Sequence, residues 1–115
     1  MNTAELLIGF FITLTLGVMC ILFGFMNRKG NFSMLHSYHY KRVSAADRLP
    51  FGKLVGTGML VIGVSFIVLS AMMLISELMS SEVLALVGTV VSCCGLAVGL
   101  GINFYAMFKY NKGIF

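Results

Sequence analysis

The chain has 115 residues, room for one domain at most. Hydrophobic residues make up 59% of it and charged residues 10%, against about 25% charged in a soluble domain. That balance excludes a soluble globular protein and describes an integral membrane one. The net charge of +4 does not point to nucleic acid, because the basic residues flank apolar runs instead of forming one folded face; an anionic inner-leaflet lipid surface fits better.

Residues 6–26 form the first apolar run, long enough for a membrane helix, which needs roughly 20 residues. A cleaved signal peptide fits poorly. No Lys or Arg precedes the run, Glu5 is acidic, and no small-x-small cleavage site follows.

Residues 27–53 are the polar segment of the chain. They hold Arg28, Lys29, Lys41, Arg42, Arg48 and Lys53, opposed only by Asp47, together with both histidines and the single proline, Pro50. Between residues 31 and 43, Phe32, Leu35, His39 or Tyr40, and Val43 recur three and four apart. That spacing predicts a short amphipathic helix lying at the membrane interface, with Lys41 and Arg42 towards phosphate. Ser44 and Asp47 then form a capping-box variant, a hydroxyl for the free amides and an acid for the positive helix end. A helix is expected to start near Ser44 and run, bent at Pro50, into the second span.

The second span covers residues 54–76. After a break at 77–82, suited to an antiparallel helix hairpin, the third covers 83–108. The tail from Lys109 is short and basic and is expected to be disordered. The fold class is therefore all-α, a bundle of three transmembrane helices. All eight Lys and Arg residues fall in the 27–53 segment or the tail, whereas Glu5, Glu77 and Glu82 fall on the opposite side. The positive-inside rule places the N-terminus outside and the C-terminus in the cytoplasm. Tyr38, Tyr40, Tyr105 and Tyr110 lie on the basic side too, as an interfacial aromatic belt would.

Small residues form stripes: Gly9, Thr13, Gly17, Cys20 and Gly24 in the first span; Gly52, Gly56, Gly63 and Ser70 in the second; Gly88, Ser92, Gly95 and Gly99 in the third. Such stripes let helix backbones approach closely in lipid. They either pack the three helices together, favoured because each span carries one stripe, or face a second copy or a partner. Cys20 lies near the inner end of its span and Cys93 and Cys94 near the middle of theirs, so they read as small hydrophobes, not a disulfide or a metal site. His36 and His39 could share one helix face, but a closed zinc site wants four ligands and no further ligand lies near them in sequence; contact with lipid phosphate is the preferred reading. No serine-hydrolase, zinc-protease or phosphate-loop motif is present, and no ionisable residue lies deep in a span, where a proton-coupled carrier would place one. Asn103 is the most polar residue within a span and is expected to bond a neighbouring helix.

The run from Leu35 through His36, Tyr38, His39, Tyr40, Lys41, Arg42 and Asp47 to Arg48, continuing into the Gly-rich stretch from Gly52 to Gly63, resembles a group of small three-span membrane proteins of Gram-positive bacteria known as a domain of unknown function. The resemblance implies a bacterial plasma membrane and supplies no catalytic residues.

The function expected from these readings is non-enzymatic: an accessory or regulatory membrane protein, without cofactor or metal, that binds another membrane protein or its own copies. His36, Tyr38, His39, Tyr40, Lys41, Arg42 and Arg48 would form its lipid or partner contact surface. An immunity or resistance protein against a membrane-active toxin is an alternative. So is a subunit of an oligomeric transporter or channel, in which the stripes, or Asn103, Thr57 and Ser65, would line a watery path.

Overall fold

A computed structural model describes residues 2–114. Its elements run α1 (Thr3–Arg28), a 3₁₀ turn at Ser37–His39, a second at Ala45–Asp47, α2 (Arg48–Leu78) and α3 (Glu82–Tyr110). The fold is an all-α bundle of three long apolar helices, with no strand among the described residues. At 52 Å its long axis exceeds both the hydrocarbon core, about 30 Å, and the roughly 40–45 Å that includes headgroups. The chain is a multi-pass membrane protein by the length and composition of its helices.

Helix ends are fixed by local chemistry. Asn2 Oδ1 accepts from the Glu5 amide (2.8 Å) and Glu5 Oε2 accepts from the Asn2 amide (3.1 Å), a reciprocal capping box that starts α1 ahead of its apolar run. At its other end Gly30 takes φ +86°. The Gly30 and Asn31 amides donate to Asn27 O and Met26 O, each 3.0 Å, the Schellman arrangement that satisfies the last carbonyls of a helix. Ser44 Oγ accepts from the Asp47 amide at 3.3 Å, so helical structure begins where the capping box predicts, as a 3₁₀ turn that leads into α2. Pro50 is the third residue of α2, where its missing N–H leaves no helical bond unmade. The apolar helix thus extends over Ala45–Leu78, reaching well into the polar segment. Ser80 (φ 48°) and Ser81 end α2 by the same motif, donating to Glu77 O (3.1 Å) and Ser76 O (2.9 Å). Ser81 Oγ then accepts from the Leu84 amide (3.3 Å) and starts α3. Only residues 79–81 separate the two helices, a tighter hairpin than the break at 77–82 suggests.

The central helix is α2. Both α1 and α3 pack along it, and they share no comparable interface with each other. At one crossing a Cβ added to Gly17 would lie 2.9 Å from Gly63 O, and one added to Gly63 would lie 2.8 Å from Gly17 O. Gly24 stands likewise 2.9 Å from Gly56 O, and Gly9 faces Met73. Against α3, Gly58 and Gly99 face each other's carbonyls at 2.8 Å each way, with Gly95 against Ser65 and Gly88 against Met72. Ser92 is also buried. These backbone approaches exist because no side chain intervenes. One stripe per span is therefore not the pattern: α2 carries two. Gly56 and Gly63 face α1, while Gly58 and Ser65 face α3. Residues two apart on a helix point about 200° apart, so one short sequence serves both neighbours.

Side chains away from these seams, among them Ile8, Leu86 and Phe108, are more than half exposed, as lipid-facing residues are. The three cysteines are free, Cys20 half-buried and Cys93 and Cys94 exposed.

Candidate functional site

The polar segment folds into a cap over the basic end of the bundle, and the reason begins with Phe32 and Val43. Residues 31–43 do not form the interfacial helix expected from their spacing. They form successive tight turns, with the Leu35 amide bonded to Phe32 O, His39 to His36 O, Tyr40 to Ser37 O and Val43 to Tyr40 O. Phe32 and Val43, placed by their spacing on a helix at the membrane interface, are instead buried within the protein, 5% and 6% exposed. They join Phe51 and Val55 of α2 and Ala106 and Met107 of α3 in one apolar cluster. Burying two such side chains contributes about 1.5–3 kcal/mol each, whereas an isolated helix this short is marginal in water. Burial decides the conformation. The aromatic rings extend the cluster: Phe32 lies 5.2 Å from Tyr40 and 5.6 Å from Phe51, and Phe51 lies 6.3 Å from Tyr110.

Asn111 fastens the cap to α3. It follows Tyr110 directly and is fully buried. Its Oδ1 accepts from the Arg42 amide (2.8 Å), and its Nδ2 donates to Tyr38 O and Gly113 O, both 2.9 Å. His39 Nδ1 bonds Ile114 O at 2.8 Å; a carbonyl can only accept, so Nδ1 carries the proton. The described part of the tail is therefore ordered, not disordered as its composition suggested. Packing between the loop and α3 supplies the order that local sequence lacks.

The residues singled out from sequence divide on this scaffold. His36, Lys41, Arg42 and Arg48 are exposed, while Tyr38, His39 and Tyr40 are half-buried. Arg48 Cζ sits 5.5 Å from the Tyr40 ring centre, within cation–π range. His36 stacks on Tyr38, ring centres 5.2 Å apart at 7°. His36 and His39 ring centres are 6.1 Å apart. Among the described residues no three His, Cys, Asp or Glu side chains are grouped to hold a metal ion. Two of the tyrosines read as an interfacial belt, Tyr40 and Tyr110, pack against the apolar cluster; Tyr105 stays more than half exposed, with Lys109 Nζ 5.7 Å from its ring centre.

Two residues gain importance that sequence alone did not give them. One is Asn111. The other is Arg28, whose Nη1 donates to Thr57 Oγ1 (2.6 Å) and Lys53 O (3.4 Å), tying the end of α1 to α2. Within the spans, Thr13, Ser65, Ser70 and Thr89 turn their hydroxyls back onto carbonyls of their own helix, a common way to satisfy a hydroxyl in lipid. Asn103 behaves differently from its expectation. It is buried against Gly58, and its Oδ1, like Ser92 Oγ, has no hydrogen-bond partner. Both face the α2–α3 seam, not an outer surface. At the acidic end, an open depression of about 360 Å³ is lined by Ser76, Glu77, Ser80, Ser81, Glu82 and Ala85.

The chain matches no protein-family model, no curated protein and no solved structure.

Proposed function

We propose that this chain is a non-enzymatic accessory membrane protein that binds another membrane protein, or its own copies, through the cap at its basic end. The observation that carries this reading is the latching of the cap: Asn111 and the Phe32–Val43 cluster hold a fixed surface on which His36, Lys41, Arg42 and Arg48 are exposed. A loop needed only to connect two spans has no use for such order, whereas a rigid charged display suits recognition.

The basic end faces the cytoplasm of a bacterial cell in this reading, on the strength of the charge asymmetry and the likeness to the small Gram-positive membrane proteins. Ser33 and Ser80 lie at opposite ends of the bundle, and both are exposed. In intact cells the S80C variant, with the native cysteines replaced, should react with an impermeant maleimide and S33C should not. Reaction at residue 33 alone would reverse the orientation.

Function itself is tested by affinity purification from native membranes in mild detergent, with mass spectrometry of what co-purifies. A stoichiometric membrane protein, or a defined homo-oligomer, lost on combining K41E, R42E and R48E is the expected result. A monomer without partner, or a partner indifferent to those three charges, would refute the role given to the cap.

A further inference from the structure

We propose a second site, specific for one anionic phospholipid, on the side of α2 that neither α1 nor α3 covers. A groove of about 290 Å³ runs there along Thr57, Leu60, Val61, Val64 and Ser65. Its edges are the two helix seams: Leu60 packs against Gly24 of α1, and Ser65 against Gly95 of α3. Val64, between them, is 53% exposed. The two hydroxyls in the lining are already committed, Thr57 Oγ1 to Lys53 O (2.7 Å) and Ser65 Oγ to Val61 O (2.8 Å). What the groove offers an occupant is therefore methyl and methylene surface.

Charge identifies the occupant. Lys53 lies one helical turn before Thr57, on the same face and exposed. Arg28 is held at the same mouth by its bonds to Thr57 and Lys53 O, with its stem against Gly56. Those bonds use one terminal nitrogen, and the exposed guanidinium keeps further N–H donors for a phosphate. Asp47, the one acidic side chain at this end, belongs to the capping turn before α2; Glu5, Glu77 and Glu82 lie at the other end. From Lys53 to Val64 the helix rises about 16 Å, close to one leaflet's share, roughly 15 Å, of the hydrocarbon core. Two cations at headgroup depth above an apolar groove one leaflet long complement a phosphate joined to an acyl chain. A partner helix would have to bring a carboxylate to that depth to satisfy the same charges. The site stands apart from the cap and does not depend on a protein partner there.

The test uses the purified full chain in mixed micelles with equal phosphatidylglycerol and phosphatidylcholine, with bound lipid counted by native mass spectrometry. One phosphatidylglycerol per chain, retained in preference to phosphatidylcholine, is expected. K53Q should lower that preference about fivefold, and R28Q combined with K53Q should remove a second factor of similar size. Lys53 makes no side-chain contact that holds helices together in the interactions described above, so K53Q keeps the test valid if R28Q loosens α1. V64W, at an outward-facing position, should reduce retention of both lipids by filling the groove. Free glycerol phosphate at millimolar concentration should not displace the lipid. Equal retention of the two lipids, retention unchanged in the double variant or in V64W, displacement by glycerol phosphate, or a protein cross-linked through V64C in place of lipid would each overturn the proposal.

Discussion

Replacing Gly63 by leucine is expected to part α1 from α2 while leaving both helices formed. A first carbon at this position would stand 2.6 Å from Ile21 Cγ1 and 2.8 Å from Gly17 O. The second neighbour is backbone, so no side-chain rotation relieves it. Overpacking of this kind costs about 1–3 kcal/mol, and leucine, with three carbons beyond the first, belongs at the upper end. In water such a cost is partly offset by extra apolar burial. In lipid that compensation is missing, because the separated helix faces meet acyl chains instead of water. Cys20 provides the measurement: it is half-buried on the small-residue stripe that carries Gly17 and Gly24. In a chain with Cys93 and Cys94 replaced by serine, taken into mild detergent so that water reaches a parted seam and the thiolate can form, maleimide should label Cys20 more than tenfold faster in the Gly63→Leu variant, as expected when a local opening loses about 1.4 kcal/mol or more. Gly101 supplies the control, since nothing lies within 4 Å of a Cβ added there. Gly101→Leu should label like the parent. Equal rates for all three chains would mean that the Gly17–Gly63 crossing does not hold the bundle together.

That contrast between Gly63 and Gly101 marks how far the sequence could be read. The spans are legible because some twenty apolar residues in a row have one physical solution in a bilayer. The turn that leads into α2 is legible because Ser44 caps it through atoms only three residues away. Stripes counted in steps of three and four find one face of a helix, which suffices for α1 and α3. It fails for α2, where Gly58 and Ser65 serve a second neighbour on the opposite side; only knowledge that α2 is central reveals both faces. The cap was the least legible part. Phe32 and Val43 show helical spacing, yet their partners Ala106 and Met107 lie more than sixty residues away. No local pattern encodes a contact of that range. Asn111 sits in a short basic tail whose composition reads as disorder, and two of its three side-chain bonds go to Tyr38 and Arg42, brought to it by the fold.

Asn111→Ala should therefore release the cap without disturbing the spans. The substitution removes the acceptor for the Arg42 amide and the donor for Tyr38 O and Gly113 O. At about 1 kcal/mol net for each bond, with a further penalty for any group left buried and unpaired, the loss is about 3 kcal/mol. Water can reach this end of the molecule once the cap loosens, so the released groups rehydrate and the full desolvation penalty does not apply. Lys41 and Arg42 make the opening visible, because they are trypsin sites within the fastened turns and are exposed as side chains. Cleavage requires that the backbone around them unfold locally. When opening and closing are fast, its rate follows the open population, so a loss of about 3 kcal/mol should speed nicking after Lys41 and Arg42 roughly 100-fold. Helix content in detergent should stay that of the parent, since the seams are untouched and α3 still ends through the backbone bond from the residue 111 amide to Met107 O. Asn111→Asp separates the two halves of the latch. Its carboxylate can still accept from the Arg42 amide but cannot donate to either carbonyl, so it should nick at least as fast as a variant that has lost two of the three bonds. If Asn111→Ala also abolished the partner binding assigned to the cap, while K53Q left it intact, the fixed geometry of the turns would matter for recognition as well as the charges they display. Nicking at the parental rate would show instead that the Phe32–Val43 cluster alone holds the cap, with Asn111 merely occupying space beneath it.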